Sequence, residues 1–220
     1  MQYSAQRAQS LFSMDVEGRV LRTDSFSKIL SAGIRVGFVS GPSPLIDRIS
    51  LHNQASIMHT SGLSQLAVLT VLKHWNVGES GSTESSEKWE AHLARVCAFY
   101  SSQCDAFMAA ADRHLVDPAG KPLAEYARPS AGMFVWIKLL GVADTTALIM
   151  QKAVEKKVLL VPGSAFFPGN PPTSYVRAAF STGTGVVLGI SFYLKFKNFN
   201  YPTHTHIYTT QPPPPRWTLL

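Results

Sequence analysis

Lys28 stands in the run TDSFSKILSAGIRVGF, residues 23 to 38, with Ser25 and Ser27 just before it and Gly33 and Arg35 just after. A charged amine among apolar residues is costly unless it is paired or gives up its proton. A lysine that gives up its proton readily is a nucleophile toward aldehydes, and an apolar, cation-bearing setting promotes that loss. The neighbours suit a second chemistry. Short hydroxyls, backbone N–H groups and a planar guanidinium hold a phosphate well, and Ser25, Ser27 and Arg35 supply those donors. If the stretch is extended, Ser25 and Ser27 share one side, and Gly33 lets the chain turn between the lysine and the arginine. Pyridoxal 5'-phosphate, which carries both an aldehyde and a phosphate, uses this combination. The alternative is a lysine whose amine snorkels to solvent.

The elements that must position these groups are readable on both sides. VEGRVLRTDSF reads as a turn and then a strand through Val20 and Arg22, and IRVGFVSG as a second strand that stops at Gly41-Pro42. Pro42 and Pro44 open a helix, PLIDRISLHNQASIM. A second helix starts near Ser61, SGLSQLAVLTVLKHW, and its apolarity on most sides calls for burial against other elements or a partner subunit. NVGESGSTESSE, residues 76 to 87, reads as a solvated loop. Trp89, Leu93, Val96, Tyr100, Cys104, Phe107, Met108, Ala111 and Leu115 then recur at helical spacing over a long amphipathic helix. GMFVWIKLLG reads as a strand, TTALIMQKAVEKK as a helix, VLLVPG as a strand into a turn, and SYVRAAFS as a strand. The expected organisation is the end of a large α/β domain over residues 1–80, a small α+β domain over 81–182, and a basic, proline-rich, irregular tail over 183–220. PPPPR in that tail also suits a polyproline II ligand of the SH3 type.

Bulk properties narrow the function classes. Lys plus Arg number 20 against 14 Asp plus Glu, and no acid follows Glu155, yet no basic cluster interleaved with aromatics marks a nucleic-acid surface. The excess favours anionic small molecules or is incidental. Cys97 and Cys104 lie seven apart on the expected long helix, so their Cα atoms stand ~10 Å apart. That exceeds the roughly 7 Å reach of a disulfide, and both are expected as free thiols. GVVLGISFYLKF, residues 185 to 196, is glycine-broken and ends in charge, so no membrane span is expected. The first 14 residues carry Arg7 as their single cation and match a transit peptide poorly. His204 and His206 form an H-x-H without an acidic or cysteine partner nearby, and no metal site is expected.

S-F-S-K followed by G-x-R-x-G resembles the fold-type I aminotransferases of class I/II, and FSMDVEGRVLRTDSFSKILSAGIRVGFVSGP, LIDRISLHNQAS, AGMFVWIKLLGV, VLLVPGSAF and YVRAAFS resemble, in order, segments of the kynurenine/alpha-aminoadipate aminotransferases. The resemblance covers about residues 11 to 182. It implies a pyridoxal 5'-phosphate enzyme that moves an amino group from 2-aminoadipate, kynurenine or a similar amino acid to 2-oxoglutarate, as a homodimer in mitochondria or cytosol. It further implies that Lys28 forms the Schiff base and shuttles the substrate proton, and that Ser25, Ser27 and Arg35 bind the phosphate. Arg177 would grip the substrate carboxylate and Phe134 line the side-chain pocket. The bland alternatives are a surface arginine for Arg177 and plain core packing for Phe134. Ala32 replaces a proline common in more distant relatives.

The resemblance begins inside the family's large domain. Its phosphate turn, ring-stacking tyrosine, asparagine and ring-nitrogen aspartate have no counterpart here, and Asp15 and Asp24 lie too close to the lysine strand to match that aspartate. Past YVRAAFS the family's closing helix is replaced by the unrelated tail. The economical expectation is a truncated product or incomplete gene model of an aminotransferase, non-catalytic or at most paired with an intact subunit. A lyase or an aminotransferase-like regulator is the remaining option, and no helix-turn-helix segment supports the regulator.

Overall fold

A computed structural model describes residues 2–3, 8–75, 77, 83–117, 119–154 and 158–181, the side chains of 83–86 and 152 excepted. The expectations for the tail over 183–220, its polyproline run and its H-x-H lie outside the described residues. Strands β1 (Arg22–Ser25) and β2 (Gly37–Ser40) form an antiparallel ribbon with Ser25 opposite Gly37. A short 3₁₀ turn, Phe26–Lys28, leaves the end of β1, and a second, Ala32–Ile34, precedes β2. Helix α1 (Ser43–Ser56) starts at the expected prolines, with Pro42 as its cap. It ends where Met58 takes a left-handed φ of 61° and returns its N–H to Asn53 O at 2.7 Å. Helix α2 (Gly62–His74) follows.

Helix α3 (Thr83–His114) is the long amphipathic helix, and it begins inside the stretch expected to be loop. Its C-terminal half covers one face of a four-stranded antiparallel sheet of order β3-β4-β6-β5, made of β3 (Ala124–Tyr126), β4 (Phe134–Leu139), β5 (Val161–Pro162) and β6 (Tyr175–Ala179). Alternation sorts the side chains. Val135, Ile137 and Leu139 of β4 with Val176 and Ala178 of β6 are buried and join Cys104, Phe107, Ala111 and Leu115 of α3 in one core. The helix expected over TTALIMQKAVEKK is present through residue 154 and carries a π-helical stretch, Leu148–Ala153, with residues 155–157 outside the described ones, and Ile149 and Ala153 enter the same core. β3 was not foreseen. Cys97 and Cys104 are free, as the spacing required, and burial raises the Cys104 thiol above its ordinary pKa.

One expectation is narrowed and another corrected. Of the two covers expected for α2, other described elements of this chain do not supply one, which leaves the partner subunit: Leu63, Leu66 and Leu69 are exposed, and Val68 is the one buried residue among the described positions 8–77. The lysine stretch is not extended. Ser25 Oγ accepts the Ser27 N–H at 3.1 Å and tightens residues 26–28 into a turn, because a serine that bonds its own backbone competes with strand pairing.

Candidate functional site

The ribbon holds the first group of residues together by local geometry. Phe26 N–H donates to Val36 O at 3.0 Å, closing the loop that carries Ser27, Lys28 and Arg35. Phe26 and Phe38 pack beneath it with ring centroids 5.5 Å apart. The left-handed residue of this loop is Arg35, at φ 52° and ψ 37°, and not Gly33, whose φ lies outside that region. The bend folds the arginine back. Its Nη1 stands 3.4 Å from Ser27 Oγ and 3.3 Å from Ala32 O. Two serine hydroxyls and a guanidinium therefore meet at one ribbon tip, a donor set suited to a phosphate, with Lys28 the next residue along the same turn.

Lys28 itself is exposed, which corrects the expectation of an amine enclosed by apolar residues. It lines an open groove of about 450 Å³ between its own turn and α3, where Ile29 and Leu30 face Val96, Phe99 and Arg95. The walls are apolar with a second cation in reach, but the described residues do not close over the amine. Neither nearby aspartate is available for other work. Asp24 is bonded to Arg22 at 2.6 Å. Asp15 accepts the backbone N–H groups of Val20 at 2.7 Å and Glu17 at 3.1 Å, and these bonds, Val20's foremost, hold its carboxyl below the ordinary range.

The second group sits on the face of the four-stranded sheet opposite α3. Arg177 of β6 lies directly across from Trp136 of β4 and from Val161 of β5. Its guanidinium stands 4.2 Å from the ring centre of Phe134 and 4.8 Å from that of Phe166. Trp136 stacks on Tyr175 at 5.4 Å and meets Phe166 edge-on at 5.4 Å. Phe134 is 40% exposed, so it wets this open face and does not fill the core. Among the described residues no carboxylate pairs with Arg177. An arginine fixed between aromatic rings and lacking an acid partner is equipped to take a planar anion.

Structure thus joins Ser25, Ser27 and Arg35 through hydrogen bonds, with Lys28 on the same turn and lining the groove toward α3, and it joins Arg177 and Phe134 in a second cluster. Among the described residues no hydrogen bond, ion pair or ring contact links the two clusters. Phe166 and His92 were not singled out from the sequence. Phe166 lies in VLLVPGSAF, next to the tight Pro162-Gly163 turn, and that turn was the available signal. His92 lies on α3 three residues after Trp89, and its position beside the apolar stripe was the available signal.

No helix among the described residues is long and apolar enough to cross a membrane, and none of their His, Cys, Asp and Glu side chains form a group able to hold a metal. Residues 1–185 match the family described as aminotransferase class I and II. The chain is similar to kynurenine/alpha-aminoadipate aminotransferase, mitochondrial, of Mus musculus, 46% identical over 193 residues, which make up 87% of this chain and 42% of that protein. It is similar to aminotransferase tdiD of Emericella nidulans, 34% identical over 183 residues, 80% of this chain and 39% of that one. Its fold matches LysN, the alpha-aminoadipate aminotransferase of Thermus thermophilus solved with N-(5'-phosphopyridoxyl)-L-leucine, at a TM-score of 0.72 and 29% identity over 88% of this chain and 47% of that one. A multiple substrate aminotransferase of Thermococcus profundus matches at 0.72 and 26%, over 89% and 45%. The chain spans less than half the length of these relatives, and the expected α/β transferase fold is the one they share. With the lysine turn, the arginine cluster and the whole segment order accounted for, the chain belongs to the aminotransferase class I and II family.

Proposed function

We propose that this chain carries the cofactor-anchoring and carboxylate-binding residues of a pyridoxal 5'-phosphate-dependent aminotransferase acting on 2-aminoadipate, kynurenine or similar amino acids, with 2-oxoglutarate as acceptor. The observation that carries the reading is the ribbon tip, where Arg35 folds back onto Ser27 beside Lys28. Ser25, Ser27 and Arg35 fit the phosphate by donor type, and Lys28 fits the aldehyde. When bound, pyridoxal phosphate supplies that aldehyde and a ring that takes up the electron pair released at the substrate α-carbon.

The chain's residues do the rest. Lys28 Nζ, once neutral, takes the proton from the substrate α-carbon and returns it during transfer. Arg177, prevented from swinging by Phe134 and Phe166, binds the α-carboxylate through two parallel N–H bonds and so fixes which bond of the α-carbon is presented. Phe134, Trp136 and Phe166 offer an apolar wall to a long or aromatic side chain.

Borohydride reduction of the chain with pyridoxal 5'-phosphate, followed by peptide mapping, tests this. The pyridoxyl label is expected on Lys28 and lost in Lys28→Ala. Arg35→Lys, which keeps the charge but loses the fork, is expected to weaken labelling about tenfold, the scale of one charge-assisted hydrogen bond. Label distributed evenly over the chain's lysines would sink the proposal.

A second reading, a non-catalytic chain that pairs with an intact aminotransferase subunit, is favoured by the exposed apolar side chains of α1 and α2, such as Leu51 at 55% and Leu63 at 81%. Co-expression with an intact relative separates the two. Mixed dimers of reduced turnover support this second reading, and their absence removes it.

A further inference from the structure

Among the described residues one hydrogen bond ties the lysine turn to an element outside its own ribbon. Within residues 26–36 the bonds are local: Phe26 N–H to Val36 O at 3.0 Å, Leu30 N–H to Phe26 O at 2.8 Å, Ile34 N–H to Ser31 O at 3.2 Å. From α3, His92 Nε2 reaches the Ile29 carbonyl oxygen at 2.6 Å, across 63 residues of sequence. A carbonyl oxygen only accepts, so Nε2 carries the hydrogen and donates it.

The imidazole is fixed from its other sides. Trp75, at the end of α2, lies against it with centroids 4.7 Å apart, Trp89 stands one helical turn earlier at 6.3 Å, and the two indoles meet at 5.7 Å. A half-buried ring packed against a pair of tryptophans that also touch each other loses little further freedom when it bonds. The same helix continues into the core of the four-stranded sheet through Cys104, Phe107 and Ala111, so about 22 Å of rigid helix separates His92 from Phe107.

We propose that His92 is a positioning residue: its bond to the carbonyl next to Lys28 sets the lysine turn against α3, and through α3 against the sheet that carries Arg177. A three-residue turn on a two-stranded ribbon has little rigidity of its own. Cofactor-anchoring and carboxylate-binding groups on separate sub-structures need a fixed spacing, and α3 with His92 provides it. This inference rests on the reading of Lys28 as the cofactor lysine, and its test separates the two.

Two variants of the full chain are compared with the parent. His92→Phe keeps an aromatic ring against Trp75 and Trp89 and removes the donor. His92→Gln restores an N–H near the position of Nε2. Amide hydrogen exchange is read at Phe26 and Leu30 in the turn and at Ile137 and Val176 in the sheet, and borohydride labelling with pyridoxal 5'-phosphate is read as the share of label on Lys28. In His92→Phe, turn amides are expected to exchange about tenfold faster, with sheet amides unchanged and the Lys28 share reduced several-fold. His92→Gln is expected to stay near the parent. Unchanged turn exchange in His92→Phe, or a glutamine variant that behaves like the phenylalanine one, overturns the proposal. So does exchange that rises equally in the sheet, which would make His92 a general packing residue. If the parent carries no label on Lys28, the lysine reading fails while the exchange data still decide the tie.

Discussion

At the scale of single residues, the chemistry depends on partners that the fold brings from a few positions away. Arg35 reaches Ser27 because its own backbone is left-handed, and Arg177 is held because two phenylalanine rings stand within 5 Å of its guanidinium carbon. Tyr3 shows the same principle with a consequence that can be titrated. Its hydroxyl donates to Gly132 O and its N–H to Ser130 O at 2.9 Å, fastening the chain start to the segment before β4. Burial is the main cause that pushes its phenol from 10.0 up to about 12, with Cys104 adding and Arg128 opposing. The neutral phenol is the form the folded state prefers, so this contribution to stability is complete below pH 10 and is lost as pH rises from 10 to about 12. Tyr3→Phe is expected to cost about 1 kcal/mol at neutral pH through the lost hydrogen bond. The gap between parent and variant should close over that pH window in thermal melts. Tyr126, raised likewise by burial and by its bond to Asp112, is common to both and cancels. A gap that stays constant to the top of the window would contradict the assignment.

At the scale of elements, periodicity made most of the fold legible. The strands around Arg22, Val39, Val135 and Val176 and the helices from Ser43 and Gly62 lie close to where their apolar spacing placed them, while α3 starts at Thr83, inside the stretch read as a loop. What stayed hidden was set by contacts distant in sequence or by side chains bonding to backbone. β3 is three residues long and exists only by pairing with β4, and the Ser25 hydroxyl turned an expected extension into a turn. Gly33 was read as the hinge of the lysine loop, yet the glycine with no room for a side chain is Gly37. A Cβ there would sit 2.7 Å from Asp24 O on the partner strand, whereas at Gly33 the nearest atom is Ser31 Oγ at 3.9 Å. Gly37→Ala is therefore expected to pry β1 from β2, speeding exchange of the Phe26 amide and lowering pyridoxyl labelling of Lys28 about tenfold or more, while the melting of the four-stranded sheet is unchanged. Gly33→Ala is expected to leave all three measurements at the parental value. Equal behaviour of the two variants would show that strand approach does not govern the lysine turn.

Across the whole molecule, burial is distributed unevenly, and this decides how the chain should unfold. Phe180, Val176, Ile137, Ile149 and Cys104 are at most 2% exposed and lie in one cluster, while Val68 alone is buried among the described positions 8–77. Apolar periodicity identified α2 as a helix that wants cover; it carried no information on what covers it, because that depends on surfaces outside the helix. Phe180→Ala is expected to cost the sheet unit about 3–5 kcal/mol, as truncation of a fully enclosed phenylalanine does. Leu63→Gln with Leu66→Gln, at positions 81% and 58% exposed, should change that unit's stability by less than about 0.5 kcal/mol. The same double variant should lower dye binding to exposed apolar surface and weaken concentration-dependent association in sedimentation, because it removes contiguous apolar area from α2. A cooperative transition in which Phe180→Ala and the α2 variant are equally costly would mean that the ribbon, α1 and α2 share one core with the sheet. Separate transitions, with the α1–α2 part exchanging its amides first, would follow directly from where the buried residues lie.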